Sequence, residues 1–192
     1  KKKIPTVAYA GYIDYYNLKS MILFKVRKIL SKNKNSSLGP ELRGKAVRLI
    51  QRDIRFKSEI IIRKGFLGGC KEHLRKEYAD NMLKSDYVLV TRGAGNFSYR
   101  FYEVLSCGKI PVFIDTDCVL PFEDSINWRD YCVWVDQSEI KHLGDKIDEF
   151  HQKISDDGFI QIQKAIRSLY EEKICPSGYY KTLLNQIKLT LH

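Results

Sequence analysis

Cysteine is scarce and scattered: the 192-residue chain has five, Cys70, Cys107, Cys118, Cys132 and Cys175, and no two form a C-x-x-C pair. An odd, widely spaced set argues against a disulfide framework and predicts a reducing compartment with ordinary packing of the thiols. Histidine is equally thin, at four residues without ligand spacing. Cys70 and His73 stand three apart, but a zinc site needs a second pair, so no metal is expected. Long apolar runs are missing as well. No window approaches the ~20 apolar residues of a membrane span, and Lys1, Lys2 and Lys3 run into Ile4, Pro5 and Thr6 without the apolar core of a signal peptide. Internal repeats and low-complexity segments are absent too. The chain does not begin with Met, so a fragment is expected, with an anchor or partner domain outside it. The expected compartment is the cytoplasm, or the Golgi lumen if such an anchor exists.

Negative charge is short in the first third. Residues 1–64 carry 17 Lys and Arg against 4 Asp and Glu, a net +13, whereas residues 65–192 carry 16 against 19, a net −3. The overall +10 is therefore one basic region. Such a face suits nucleic acid, anionic lipid, an acidic polysaccharide or a nucleotide, and charge alone does not choose among them. With 44% hydrophobic residues the chain can bury a full core, and its length predicts one domain rather than two.

What is present is an alternation of apolar runs and helical patterns. Strands are predicted at Ile4–Ala10, Ser58–Arg63, Tyr87–Thr91, Ile110–Ile114 and Tyr131–Val135. Between and after them the periodicity predicts helices at Leu18–Leu30 (through Leu18, Ile22, Val26 and Ile29), Leu42–Ile54 and Lys71–Leu83, then over residues 138–152, 158–173 and 179–191, with a polar loop over 31–40. Strands that are nearly all apolar and separated by helices imply an α/β fold: a Rossmann-like parallel sheet with helices on both faces.

The most informative stretch is residues 86–128. A short β-branched run, Tyr87 to Thr91, leads into a turn with Gly93 and Gly95 that opens a short helix, whose first amides have no internal partner. Such a turn attracts phosphate, and in an open parallel sheet ligands bind beyond the carboxyl ends of the strands, where this turn falls. Gly93 and Gly95 are expected to permit positive φ and close approach, and Asn96 or Ser98 to cap the helix. Within the helix Phe97, Phe101, Val104 and Leu105 share the core stripe, leaving Glu103 free to face a ligand. Arg100 in the first turn opposes the helix dipole by roughly 0.3 to 1 kcal/mol, a sign that a bound anion reverses. Arg92 and Arg100 together suit a diphosphate, and Glu103 suits the two hydroxyls of a ribose. The alternative is a surface ion pair between Arg100 and Glu103, worth only ~0.2 to 0.5 kcal/mol.

Arg92-Gly93, Ser98-x-Arg100-Phe101-x-Glu103, Gly108-x-Ile110-Pro111-Val112, Leu120-Pro121-Phe122 and Ile126-Asn127-Trp128 resemble, in this order, the carboxyl-terminal half of exostosin-type glycosyltransferases. The resemblance is close over residues 82–136 and weaker upstream, at Val7 to Gly11, and downstream to about residue 173. It implies one half of a GT-B fold: residues 1–192 as a single Rossmann-like nucleotide-sugar-binding domain, with 174–192 a terminal helical segment. It further implies a donor site of Arg92, Gly93, Gly95, Asn96, Ser98, Arg100 and Glu103, in which Arg92 and the turn amides meet the diphosphate, Arg100 supports them and Glu103 holds the ribose. The implied donor is a UDP- or GDP-linked sugar used without a metal or other cofactor, and the implied acceptor a glycan or another hydroxyl. Lys109 and Thr91 depart from the family's usual residues without removing a proposed contact. The acceptor-binding domain, where inverting enzymes of this fold usually keep their catalytic base, is implied to be missing. This chain alone is then expected to bind donor without turning it over.

Other readings fit parts of the same sequence. Gly93-x-Gly95-x-x-Ser98 nearly matches the dinucleotide fingerprint, with Asp115 or Asp117 about 20 residues on, as in a nicotinamide or flavin oxidoreductase. Its third glycine is absent. Asp115-Thr116-Asp117 imitates a metal-binding Asp-x-Asp. Tyr9, Tyr12, Tyr15 and Tyr16 interleave with basic residues as in a nucleic-acid-binding module, although no recognition signature accompanies them and no nucleic-acid partner is expected. Trp134 reads as core, Trp128 is undecided, and Lys45, Arg48, Arg52 and Arg55 are candidates to line a cleft toward an anionic acceptor.

Overall fold

The computed structural model describes residues 1–13, 22, 26, 38–63, 72–93 and 95–190. Five strands form one parallel sheet: β1 (Thr6–Tyr12), β2 (Lys57–Arg63), β3 (Tyr87–Val90), β4 (Ile110–Asp115) and β5 (Val133–Asp136), in the order β2-β1-β3-β4-β5. The helices are α1 (Leu38–Arg52), α2 (Glu72–Leu83), α3 (Tyr99–Ser106), α4 (Leu143–Lys153), α5 (Asp156–Leu169) and α6 (Pro176–Thr190). The chain steps from β1 outward to β2 and then back across to β3. Right-handed crossovers in opposite directions put α1 on one face of the sheet and α2 and α3 on the other. This is the doubly wound parallel sheet that the apolar strands predicted.

Burial explains why those strands read as continuous apolar runs. Val7, Ala8 and Tyr9 of β1, all of β3, and Ile110 to Ile114 of β4 are buried, as both-face coverage requires. β2, at the edge, is only half-buried. On α1 the buried stripe runs through Arg43, Ala46, Val47 and Ile50, and on α4 through Leu143, Ile147 and His151, both at helical spacing. Each stripe thus carries one polar residue among its apolar ones.

Boundaries moved for local reasons. α1 starts at Leu38 rather than Leu42, because Pro40 lies in the first turn, where its missing N–H is not needed. α3 ends on Gly108, whose φ of +59° lets its amide reach Leu105 O at 2.9 Å and that of Lys109 reach Val104 O at 3.1 Å. The segment predicted as one helix over 138–152 divides into a 3-10 turn, Gln137–His142, and α4. α5 continues into a wide π turn, Tyr170–Ile174, before α6. Of the helix predicted over Leu18–Leu30, Ile22 and Val26 are described, helical and half-exposed; the remainder lies outside the described residues, as do 31–37 of the predicted loop and Cys70. Among the described residues no helix is long and apolar enough to cross a membrane.

Candidate functional site

β1 and β3 are in register at Val7–Tyr87 and Ala8–Val88, then part. Because the connections leaving them run in opposite directions, a crevice opens at their carboxyl ends, the switch point where open α/β sheets bind ligands. A cleft of about 360 Å³ lies there, lined by strand ends (Ala10, Gly11, Tyr12, Thr91), the turn after β3 (Gly93, Gly95, Phe97, Ser98) and side chains from both flanks (Arg43, Arg63, Tyr78, Arg100, Glu103).

Parting strands leave backbone carbonyls without ladder partners, and two guanidinium groups supply them. Arg100 reaches from α3 into the split and donates from Nη2 to Ala10 O at 2.6 Å, with its guanidinium carbon 4.4 Å from the centre of the buried Tyr9 ring. A Cβ on Gly11 would stand 2.8 Å from that Nη2 and 2.9 Å from Tyr9 Oη, so a side chain at this position would displace the arginine. Arg43, on the buried stripe of α1, donates to Tyr12 O at 2.9 Å and Arg92 O at 3.2 Å, tying the two strand ends together. Burial opposes the charge of Arg100, yet the nearby Tyr9 and Tyr78 hydroxyls outweigh it and the pKa is raised.

Arg100 and Glu103 do not form the surface ion pair that their spacing allowed. Tyr78 of α2 stands between them: Arg100 Nε donates to its hydroxyl at 3.2 Å, and the hydroxyl donates to Glu103 Oε2 at 2.6 Å. Burial, more than any neighbour, pushes the Tyr78 phenol up to about 12, so it keeps the proton it donates. Glu103 itself is exposed on the cleft wall.

The turn differs from expectation in several ways. Neither Gly93 nor Gly95 is left-handed; the Gly93 amide closes the turn on Phe97 O at 2.8 Å, which removes that donor from the set available to a ligand. The expected close approach is at Gly95, where a Cβ would meet the Phe97 ring at 2.9 Å. Ser98 occupies the cap position of α3 with extended backbone, but its hydroxyl caps nothing and lines the cleft instead. Asn96 caps nothing either: its amide donates to Thr116 O and Asp117 O, both at 2.9 Å, and its carbonyl accepts from the Thr116 hydroxyl, pinning the turn to the end of β4. Phe97, expected in the core, is 48% exposed because it precedes the helix and cannot share its stripe; Phe101, Val104 and Leu105 are buried as expected.

Of the seven residues picked from the sequence, Gly93, Gly95, Ser98, Arg100 and Glu103 line the cleft; Arg92 and Asn96 do not. Arg92 offers its carbonyl to Arg43, and its Cγ lies beside the first turn of α1, 3.5 Å from where a Cβ on Gly39 would stand. Its Nε is buried without a hydrogen-bond partner.

Other candidates are reassigned. Trp128 is buried and donates to Pro121 O at 3.1 Å, so it is core; Trp134 packs against the core as expected, 4.8 Å from the Phe113 ring, but is only partly buried, with Arg129 stacked 4.7 Å from its ring centre. Lys45, Arg48, Arg52 and Arg55 do not line the cleft, and Arg55 is held by Asp53, Asp145 and Asp148. Tyr9, offered for base stacking, is fully buried under Arg100; Tyr15 and Tyr16 lie outside the described residues. Asp115 accepts the Cys118 amide at 3.3 Å, Asp117 is in a left-handed turn, and among the described residues no three His, Cys, Asp or Glu side chains converge as a metal site would need. Sequence reasoning missed Tyr78 and Arg43. For Arg43 a signal existed, a charge on the buried stripe of α1; for Tyr78, on a largely polar helix, there was none.

Residues 20–149 match the Exostosin GT47 domain. Similar proteins include Exostosin-1 of Drosophila melanogaster, 36% identical over 75 residues (39% of this chain, 10% of that protein). They also include a probable beta-1,4-xylosyltransferase of Arabidopsis thaliana, 38% identical over 66 residues (34% of this chain, 16% of that protein). A probable glucuronosyltransferase of Oryza sativa subsp. japonica is 38% identical over 66 residues, again 34% of this chain and 15% of that protein. The matched segments thus span between a tenth and a sixth of the length of these relatives.

Proposed function

Because the chain belongs to the exostosin GT47 family, we propose that it is the donor-binding half of a GT-B glycosyltransferase, holding a nucleoside-diphosphate sugar for transfer to a glycan hydroxyl. The observation that carries this reading is the Arg100–Tyr78–Glu103 cluster in the crevice between β1 and β3. It places a fixed cation and an open carboxylate on one wall, at the edge of the sheet where nucleotides bind. In this reading Glu103 accepts hydrogen bonds from the ribose. The Ser98 hydroxyl and the free amides that start α3 face the diphosphate, and Arg100 sets the local positive potential from behind. Arg92 is the second cation assigned to the same diphosphate.

The chemistry is attack of an acceptor hydroxyl on the anomeric carbon, breaking its bond to the diphosphate oxygen. Charge accumulates on the departing diphosphate, and donors aimed in advance stabilise it without reorganising. The base that takes the acceptor proton belongs to an acceptor-binding half outside this chain. Names of relatives suggest xylose or glucuronate as donor sugars.

Calorimetric titration of this chain with UDP, GDP and NAD, with and without a divalent ion and at two salt concentrations, tests the proposal. Binding of UDP or GDP that needs no metal and is weakened in Glu103→Ala is expected. Binding of NAD alone would move the chain to the oxidoreductases, and affinity for nucleic acid falling steeply with salt would move it to the nucleic-acid binders.

A further inference from the structure

The cleft contains a group that neither the motif nor the family match assigns. Tyr78 comes from α2, two elements away from the helix carrying Arg100 and Glu103, yet its hydroxyl touches both. Its geometry leaves a single protonation pattern: a guanidinium only donates, so the phenol accepts from Arg100 and gives its own proton to Glu103. The ring is fixed as well, with the Arg100 and Arg63 guanidinium carbons 5.7 and 5.8 Å from its centre. A carboxylate on an exposed helix face ordinarily samples several rotamers. Here one oxygen, Oε2, is tethered at 2.6 Å, on a side chain that lines the cleft.

The geometry points to Tyr78 as a positioning residue for ribose recognition: it holds the Glu103 carboxylate in the one orientation that accepts the sugar hydroxyls of a bound nucleotide, and couples that orientation to Arg100. This inference rests on the donor-binding reading above and adds to it a residue and a selectivity, for ribonucleotides over their 2′-deoxy counterparts. Burial keeps the phenol protonated at neutral pH, so the hydroxyl remains the donor there.

The test uses the 192-residue chain and two probe pairs, UDP with 2′-deoxy-UDP and GDP with 2′-deoxy-GDP, measured by calorimetry. Tyr78→Phe keeps the ring and both cation contacts and removes only the hydroxyl. The wild type is expected to prefer the ribonucleotide roughly tenfold or more, as for a hydrogen bond to a charged group. Tyr78→Phe is expected to lose most of that preference, and Tyr78→Phe combined with Glu103→Gln to bind no worse than Glu103→Gln alone, since both act through one contact. A melting temperature near that of the wild type would separate positioning from loss of fold. If the wild type binds UDP or GDP and Tyr78→Phe keeps the full ribose preference, the inference is overturned while the donor-binding reading stands. If the wild type binds neither nucleotide, both fall.

Discussion

The two ends of this sheet bury similar polar chemistry and dispose of it in opposite ways. At the amino end, Asp86 accepts from the Thr6 amide at 2.8 Å and from Lys2 at 3.1 Å, while the Asp86 amide returns a bond to Thr6 O. Beside them His151, buried in α4, bridges Tyr87 Oη at 2.8 Å and Lys2 O at 2.9 Å. A carbonyl only accepts, so Nε2 carries a proton, and in the neutral ring Nδ1 then accepts from the phenol. The Tyr87 ring in turn meets Phe150, His151 and Phe159 edge-on. This end is closed. At the carboxyl end, Arg100 and Tyr78 are satisfied in the same manner, but the chain stops short: Glu103 and Ser98 line an open cleft. A buried polar network that satisfies itself is structure, and one that leaves a few aimed groups over is a site.

The largest effect should come from breaking the closed end. His151→Ala removes one buried and one part-buried hydrogen bond and a ring packed on Tyr87 and Phe159, and a loss of about 3 to 5 kcal/mol is expected in urea unfolding, with nucleotide affinity unchanged in whatever fraction folds. Arg100→Met is intermediate and belongs to both classes. It strips Ala10 O and the Tyr78 hydroxyl of their donor, so about 2 to 3 kcal/mol of stability and most nucleotide binding should go together, read by unfolding and calorimetry on one preparation. Glu103→Ala sharpens the contrast: it should weaken nucleotide binding by about 1.5 to 3 kcal/mol while the melting temperature barely moves, because the side chain is exposed. Arg92→Ala should weaken binding less than Glu103→Ala, since the arginine stands outside the cleft lining; equal losses would return Arg92 to the centre of the site.

The smallest effect is electrostatic. The hydrogen bond from Arg55 holds the Asp53 carboxyl below its usual range, so its contribution is complete above the unfolded-state pKa and disappears as pH falls through the lower folded value. For a partly exposed pair this amounts to less than about 1 kcal/mol, and Asp53→Asn should flatten the acid limb of a stability–pH profile by no more than that.

Much of the site was legible because it is local. Gly93, Gly95, Ser98, Arg100 and Glu103 lie within eleven residues, and the order strand, turn, helix follows from their types and spacing. Errors arose where a local rule met a distant partner. Asn96 has the chemistry of a cap, but Thr116 and Asp117 claim its amide; Phe97 has the spacing of the core stripe, but the helix begins two residues later. Trp128, undecided from the sequence, becomes core because it finds Pro121 O within the fold, whereas Trp134 packs on the core but stays partly exposed because β5 is the edge of the sheet away from β2.

The sequence by itself determined the five strands, their parallel arrangement and the turn that opens α3, since β-branched runs and helical periodicity are properties of neighbouring residues. Only the tertiary structure decided what the turn faces. Strand order places the turn after β3 against the end of β1, and the return from β2 through α2 sets Tyr78 between Arg100 and Glu103. Neither pairing leaves a trace in local spacing, because the contact joins residues 22 and 25 positions apart, and hydrogen bonding across that distance is settled by how helices pack on a sheet rather than by what either helix prefers alone.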